Sequence, residues 1–222
     1  MKLFANTPAS HRLARSLVAA SAILALSASA WAVPDDQFQP AFRSFIAANN
    51  GDDAALDKAA AAFAALLKQE PTNPVLLAYE GAATSMKARS TLMPWKKMGY
   101  ADDGLAMIDK ALSLLTPAND AVLQNGTPAN LDVRLVAANT FLAVPGFMNR
   151  GARGAKLLNE VLAHPLLASS PLPFRATVWM AAGSLAAKEK RLDDARKYFN
   201  SVIQSNAPQA EAARAQLAQL AS

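Results

Sequence analysis

The residues able to do chemistry in this 222-residue chain are few and scattered. Cysteine is absent and the only histidines are His11 and His164. Zinc and copper therefore lack their preferred ligands, and neither disulfides nor thiolates contribute. A Ser-His-acid triad would have to run through His164, and no Gly-x-Ser-x-Gly turn is present to expose a nucleophile. His164 stands beside Pro165 at the end of a helical pattern, where a cap or loop role accounts for it. Paired carboxylates occur at Asp35-Asp36, Asp52-Asp53, Asp102-Asp103 and Asp193-Asp194. Most of these pairs sit at expected helix starts, where capping and the helix dipole favour acids. No glycine-rich phosphate loop appears. The expectation is a chain with no catalytic residues, no metal site and no cofactor.

Two groups remain as candidate binding residues. One is basic: Lys87, Arg89, Lys96 and Lys97, with Arg150 and Arg153 on a later loop. Ammonium and guanidinium groups neutralise carboxylates and other anions, although solvated helix faces carry the same residues. The other is apolar: Met86, Leu92, Met93, Trp95, Met98 and Tyr100. Trp and Met suit adaptable binding surfaces and suit a core equally well. Arg89, Trp95, Lys96, Lys97, Arg150 and Arg153 form the candidate partner-binding set, directed at an anionic group of a protein or peptide. Glu80 falls at an inward-facing position, and a buried carboxylate requires a partner. A salt bridge to Lys96, Lys97 or Arg134 is the expected solution.

The elements that position these residues read as helices. Hydrophobic residues make up 52% of the chain and glycine only 9 of 222, and the abundance of alanine favours closely packed helices. Asp35 and Asp36 start a first helix ended by Asn49-Asn50-Gly51, and Asp52 caps a second, Ala54 to about Gln69. Asn73-Pro74 opens a third, since asparagine caps and proline is tolerated at the first helical position. Another restarts at Pro94 or Trp95 and runs to Leu115. Residues 116–127 have a loop composition, with one helical turn at Ala121 to Gln124. A helix after Thr127-Pro128 ends at Pro145-Gly146, and a short one runs from Ala155 to Ala163. The last pair contains Trp179 and Phe199, and Pro208 to Leu220 is a closing helix.

That last pair carries a spaced pattern. Trp179 is followed by Ala182, Gly183 and Ala186 on one helical face; after Lys190-Arg191 come Ala195, Phe199, Val202 and Pro208. The segment resembles a tetratricopeptide (TPR) repeat, W-x2-L-G then A-x3-F then P in about 34 residues. Pro208 stands one place late and Ala186 replaces an aromatic. Ala59, Phe63 and Leu66 repeat the second half, and Leu77, Glu80, Gly81 and Thr84 the first. In the second repeat the glycine-anchored halves stand about eleven residues further apart than the repeat period allows, which reads as an insertion around Leu92 to Tyr100. Leu92, Trp95 and Met98 are expected to anchor it on the helices. Residues 78–83, 94–98, 104–111 and 132–135 together are similar to a group of exported bacterial TPR-like proteins that carries no known activity. The resemblance implies an all-α, TPR-like α-solenoid of about four antiparallel helix pairs plus a C-terminal capping helix.

The first 32 residues have a separate character. Lys2, Arg12 and Arg15 precede an apolar run from Leu17 to Leu26, and Ala30-Trp31-Ala32 offers small residues at the −3 and −1 positions. This reads as a cleavable signal peptide (residues 1–32) with cleavage before Val33, leaving residues 33–222 as the helical repeat domain in the periplasm or outside the cell. Those three basic residues leave with no acid, so the mature chain holds 19 Lys and Arg against 17 Asp and Glu, a net +2. Such a surface is ordinary, so no nucleic-acid partner and no stable membrane insertion are expected.

The functional expectation is an exported, non-enzymatic scaffold that holds a protein or peptide in a concave groove. Thr177, Met180, Ser184 and Ala187 are expected to line that face in the last repeat, and Val75, Ala78, Ala82 and Ser85 in the second. The rival is a small-molecule or lipid binder with a closed pocket beneath Trp95. A helical domain of cell-wall metabolism is the third reading.

Overall fold

The computed structural model describes residues 33–220, so the expected leader lies outside the described residues. The helices run α1 (Asp35–Asn49), α2 (Asp53–Gln69), α3 (Pro74–Ser90), α4 (Pro94–Ser113) and α5 (Ala129–Ala143). Then follow α6 (Gly151–Ala163), α7 (Leu172–Lys188), α8 (Leu192–Gln204) and α9 (Ala210–Gln219). Each odd-numbered helix packs on its successor as a pair, α1 with α2 through α7 with α8, and α9 closes against α8. The fold is all-α, built from neighbouring helix pairs.

Local chemistry places the helix ends. The Asp52 carboxylate accepts the Ala55 amide at 3.0 Å, and the Asn73 side chain accepts those of Val75 and Leu76 at 2.9 and 3.2 Å. Behind Asn73, Pro74 occupies the first helical position, where a missing N–H costs nothing. After α1 the chain reverses through Gly51 at φ 99°, a conformation that side chains with a Cβ rarely adopt.

The second helix of every pair carries one small residue, then a large one four places on, then an apolar one three further. These are Ala59-Phe63-Leu66, Gly104-Ile108-Ala111, Gly154-Leu158-Val161 and Ala195-Phe199-Val202, and all are buried. The third of these sets sits in the pair whose sequence least suggests the pattern. Most of the apolar interior is one cluster running from Val33 through the first three pairs to Ala182. A second cluster surrounds Phe199, which meets Ala176 and Ala186 of α7 and Ala213 of α9, with Trp179 packed against it.

Two parts depart from the sequence expectation. Residues 117–120 form a 3-10 turn, and Leu123–Gln124 (β1) pairs antiparallel with Thr127–Pro128 (β2) in place of the expected helical turn. Asn125 and Gly126 between them have φ of 53° and 71°, the mirror-turn geometry that an Asn-Gly pair favours. The buried Gln124 side chain accepts the Val33 amide and donates to the Val33 carbonyl, each at 3.1 Å. This small hairpin thereby straps the start of the described chain.

The second departure is the insertion. The link between α3 and α4 is only residues 91–93, as short as the 189–191 link between α7 and α8. The additional residues are helical: α3 runs on from Gly81 to Ser90 and α4 begins well before Gly104, whereas α7 ends soon after Gly183. At 1.5 Å per residue the α3–α4 hairpin stands roughly 8 Å taller than the α7–α8 hairpin. Leu92, Trp95 and Met98 are not anchored on neighbouring helices; they are 93%, 70% and 41% exposed. Helix continuation satisfies the backbone of the added residues and leaves Leu92 and Trp95 projecting into solvent.

Candidate functional site

The helix pair α3–α4 is held together by backbone contact. A Cβ added at Gly81 would lie 2.7 Å from the Gly104 carbonyl oxygen, and one at Gly104 would lie 2.6 Å from the Ser85 amide nitrogen. So close a crossing fixes the direction in which both helices leave it. The first half of α4 then lies over one side of a cleft whose floor is shared by α3 and α5.

The cleft has a volume of about 610 Å³. Ala82, Ser85 and Met86 come from α3, Val136, Asn139 and Thr140 from α5, and Pro94, Met98 and Ala101 from α4. Phe45 and Asn49 close it at α1, and Phe147 and Met148 at the turn after α5. A second depression of about 350 Å³ shares Asn139 and Ala143 with it and continues to Thr177, Met180, Ser184 and Lys188 of α7. The two form one trough across the first helices of successive pairs. Thr177, Met180, Ser184, Ala82 and Ser85 line it, as the repeat register suggests. Val75 and Ala78 do not; both are buried in the core. Ala187 instead packs against the Phe199 cluster.

Charge in the trough has one sign. Arg89 and Lys97 line the larger cleft and Lys188 the smaller, and no Asp or Glu lines either. Among the described residues no ion pair engages Arg89, Lys96 or Lys97, whereas Lys87 reaches Asp57 at 3.2 Å. Lys96 and Trp95 are exposed on α4 and do not line the cleft, whereas their neighbours Pro94, Lys97 and Met98 do.

Arg150 and Arg153 are not a free clamp. Both bind the Asp109 carboxylate, Arg150 at 2.9 Å, and both guanidinium groups lie 5.2 Å from the Phe141 ring centre. They join α4 and α6 across the top of α5. Glu80 also differs from expectation, having no ion pair with Lys96, Lys97 or Arg134; Arg134 meets Glu160 at 3.2 Å. Glu80 is half-buried on α3, and desolvation raises its pKa, so the protein meets its burial partly by favouring the neutral acid.

A buried polar pair ties the floor of the cleft together. The Tyr79 hydroxyl of α3 donates to Asp132 of α5 at 2.9 Å inside the core. Burial holds the Asp132 carboxyl up at about 7, against the lowering effect of the Tyr79 hydrogen bond. The Tyr79 ring lies 5.0 Å from Phe45 and 5.2 Å from Phe63, within an aromatic group that also holds Phe38 and Phe42. Sequence reading missed this pair because nothing local tells an interior Asp from a surface one. His164 is a cap: its Nδ1 accepts the Leu166 amide at 3.3 Å.

No protein-family model, curated protein or solved structure matches this chain.

Proposed function

We propose that the chain is a TPR-like α-solenoid, exported after removal of residues 1–32, that works as a non-enzymatic scaffold. Its trough on α3, α5 and α7 takes an extended peptide segment of another protein. The observation that carries this reading is the pairing of an apolar, acid-free trough with unpaired Arg89 and Lys97 at one side. An extended chain buries alternate apolar side chains in such a surface and places a carboxylate against the cations. The recurring small-large-apolar stripe on α2, α4, α6 and α8 supports the repeat reading, since stacked pairs with a constant inner register generate a continuous face.

Site-specific photocrosslinking in producing cells tests the proposal. A photoreactive residue at Asn139 or Thr177 should trap a discrete partner, and one at Lys156 on α6 should not. Changing Arg89 and Lys97 together to alanine should weaken the captured partner's affinity, most at low salt where exposed charges are least screened. Equal trapping from α6 and from the trough would count against the groove.

A further inference from the structure

Five of the eight exposed large apolar side chains among the described residues lie at the α3–α4 and α5–α6 turns; Ile46, Leu123 and Leu192 stand apart from them. Leu92, Met93, Trp95 and Met98 crown the tall α3–α4 hairpin, being 93%, 44%, 70% and 41% exposed. Phe147, 68% exposed, stands on the α5–α6 turn and shares the cleft lining with Met98. Between Lys87 and Ala101 there is no Asp or Glu, and Arg89, Lys96 and Lys97 are exposed and unpaired.

The starts of the second helices at this end sharpen the pattern. Asp52 and Asp53 open α2, and Asp193 and Asp194 open α8, compensating the positive helix end as usual. Neither α4 nor α6 has a side-chain cap or an acid in its first turn, but Arg150 and Arg153 at the start of α6 are neutralised by Asp109. Helix α4 instead begins Pro94-Trp95-Lys96-Lys97, and among the described residues no ion pair engages these lysines. Two lysines are thus added where the backbone already presents positive potential. An external anion there would meet both the ammonium groups and the positive end of the helix.

We infer that the α3–α4 tip, with Phe147 beside it, docks reversibly on an anionic lipid surface. Separate projecting Trp, Leu, Met and Phe side chains match a fluid headgroup boundary, into which apolar groups sink about 5–10 Å. A protein partner would need a preformed hollow for each. The extra height of the hairpin is of that same order, so the tip reaches the boundary before the shorter hairpins touch it. The aliphatic stems of Lys96 and Lys97 can lie among the acyl chains while their ammonium groups meet lipid phosphates. Among the described residues no helix is long and apolar enough to cross a membrane, so the contact is peripheral. Lys97, Met98 and Phe147 also line the cleft, so the tip adjoins the trough, while Leu92, Trp95 and Lys96 belong to the tip alone.

The test uses the full chain and three variants that share its N-terminus, with a fourth, W95F, for fluorescence. The full chain and the first three are sedimented with vesicles of phosphatidylcholine alone or mixed with phosphatidylglycerol. The variants are L92S/W95S, K96Q/K97Q and, on the exposed hairpin residue away from the tip, L123S. Wild type and L123S should bind the mixed vesicles alike and the neutral ones weakly. The two tip variants should each lose on the order of tenfold or more in partitioning. The emission difference between wild type and W95F, which isolates Trp95 from the other tryptophans, should shift to shorter wavelength on the mixed vesicles. Equal partitioning of tip variants and wild type, equal binding to neutral vesicles, or an unshifted Trp95 signal overturns the inference. So does L92S/W95S abolishing photocrosslinked partner capture while vesicle binding stays unchanged, which would assign the tip to a protein partner.

Discussion

The α3–α4 and α7–α8 hairpins are built on the same stripe and put it to different use. In α7–α8, Gly183 makes room for a side chain: a Cβ there would lie 2.6 Å from Phe199 Cε1. In α3–α4 the large residue is only Ile108, the small one is Gly104, and the two backbones touch through Gly81 and Gly104. The aromatic version gives a separate core held by one ring. The glycine version gives a tighter crossing that supports two long arms, and the arms carry the cleft wall and the exposed tip. Close backbone contact is what allows a helical hairpin to project without neighbours on either side.

That contrast breaks most clearly at Phe199. Phe199→Ala removes the centre of the second cluster and should cost about 3–5 kcal/mol. Chemical denaturation should show α7 to α9 losing structure first; a melt within a degree or two of wild type would refute the role given to the ring.

The seam between the second and third pairs differs from the Phe199 cluster in holding a buried acid. Asp132 titrates near 7 when folded and near its ordinary 3.8 when unfolded. The native state therefore binds more protons in that interval, and stability falls as pH rises from about 4 to about 7, then levels. The full effect is about 4 kcal/mol at most. Asp132→Asn keeps an acceptor for Tyr79 and should flatten this slope. Urea titrations of both proteins at pH 5 and pH 7.5 measure it, and parallel slopes would remove Asp132 from the account.

Glycine substitution compares the hairpins directly. Gly104→Ala sets a methyl against backbone and should destabilise by about 1–3 kcal/mol despite alanine's better helix propensity. Gly183→Ala meets the buried Phe199 ring, which can give more than a helix backbone can, so its loss should be the smaller of the two, about 1–2 kcal/mol. Reversal of that order in thermal melts would mean that the α3–α4 crossing is not the tighter one.

The smallest effect belongs to the tip. Lys96→Ala with Lys97→Ala should change stability by no more than about 0.5 kcal/mol, as exposed unpaired residues do. Unfolding would show both lysines to be structural.

Much of the framework was legible from local signals. Asn73-Pro74 and Asp52 mark helix starts because capping involves only residues within one turn. The small-large-apolar spacing marks the buried face of α8 because burial follows the helical period. The same spacing at Gly154, Leu158 and Val161 marks the buried face of α6, in the pair that least resembles the repeat. The Asn125-Gly126 hairpin was likewise readable from its dipeptide, although two-residue strands give almost no alternation to support it.

The cations show where such reading stops. Arg89, Lys97, Arg150 and Arg153 are alike in sequence, each lying near the end of a helix. Whether one is neutralised depends on a carboxylate from another element. Asp109 on α4 reaches Arg150 and Arg153 only because the Gly81–Gly104 crossing sets the position of α4 over α5. The helices, their caps and their buried stripes were determined by the sequence alone, since those depend on neighbours within a few residues. The trough, the Tyr79–Asp132 pair, the height of the α3–α4 hairpin and the identity of the free cations were decided by the tertiary structure. Each depends on distances between helices, which no single helix encodes.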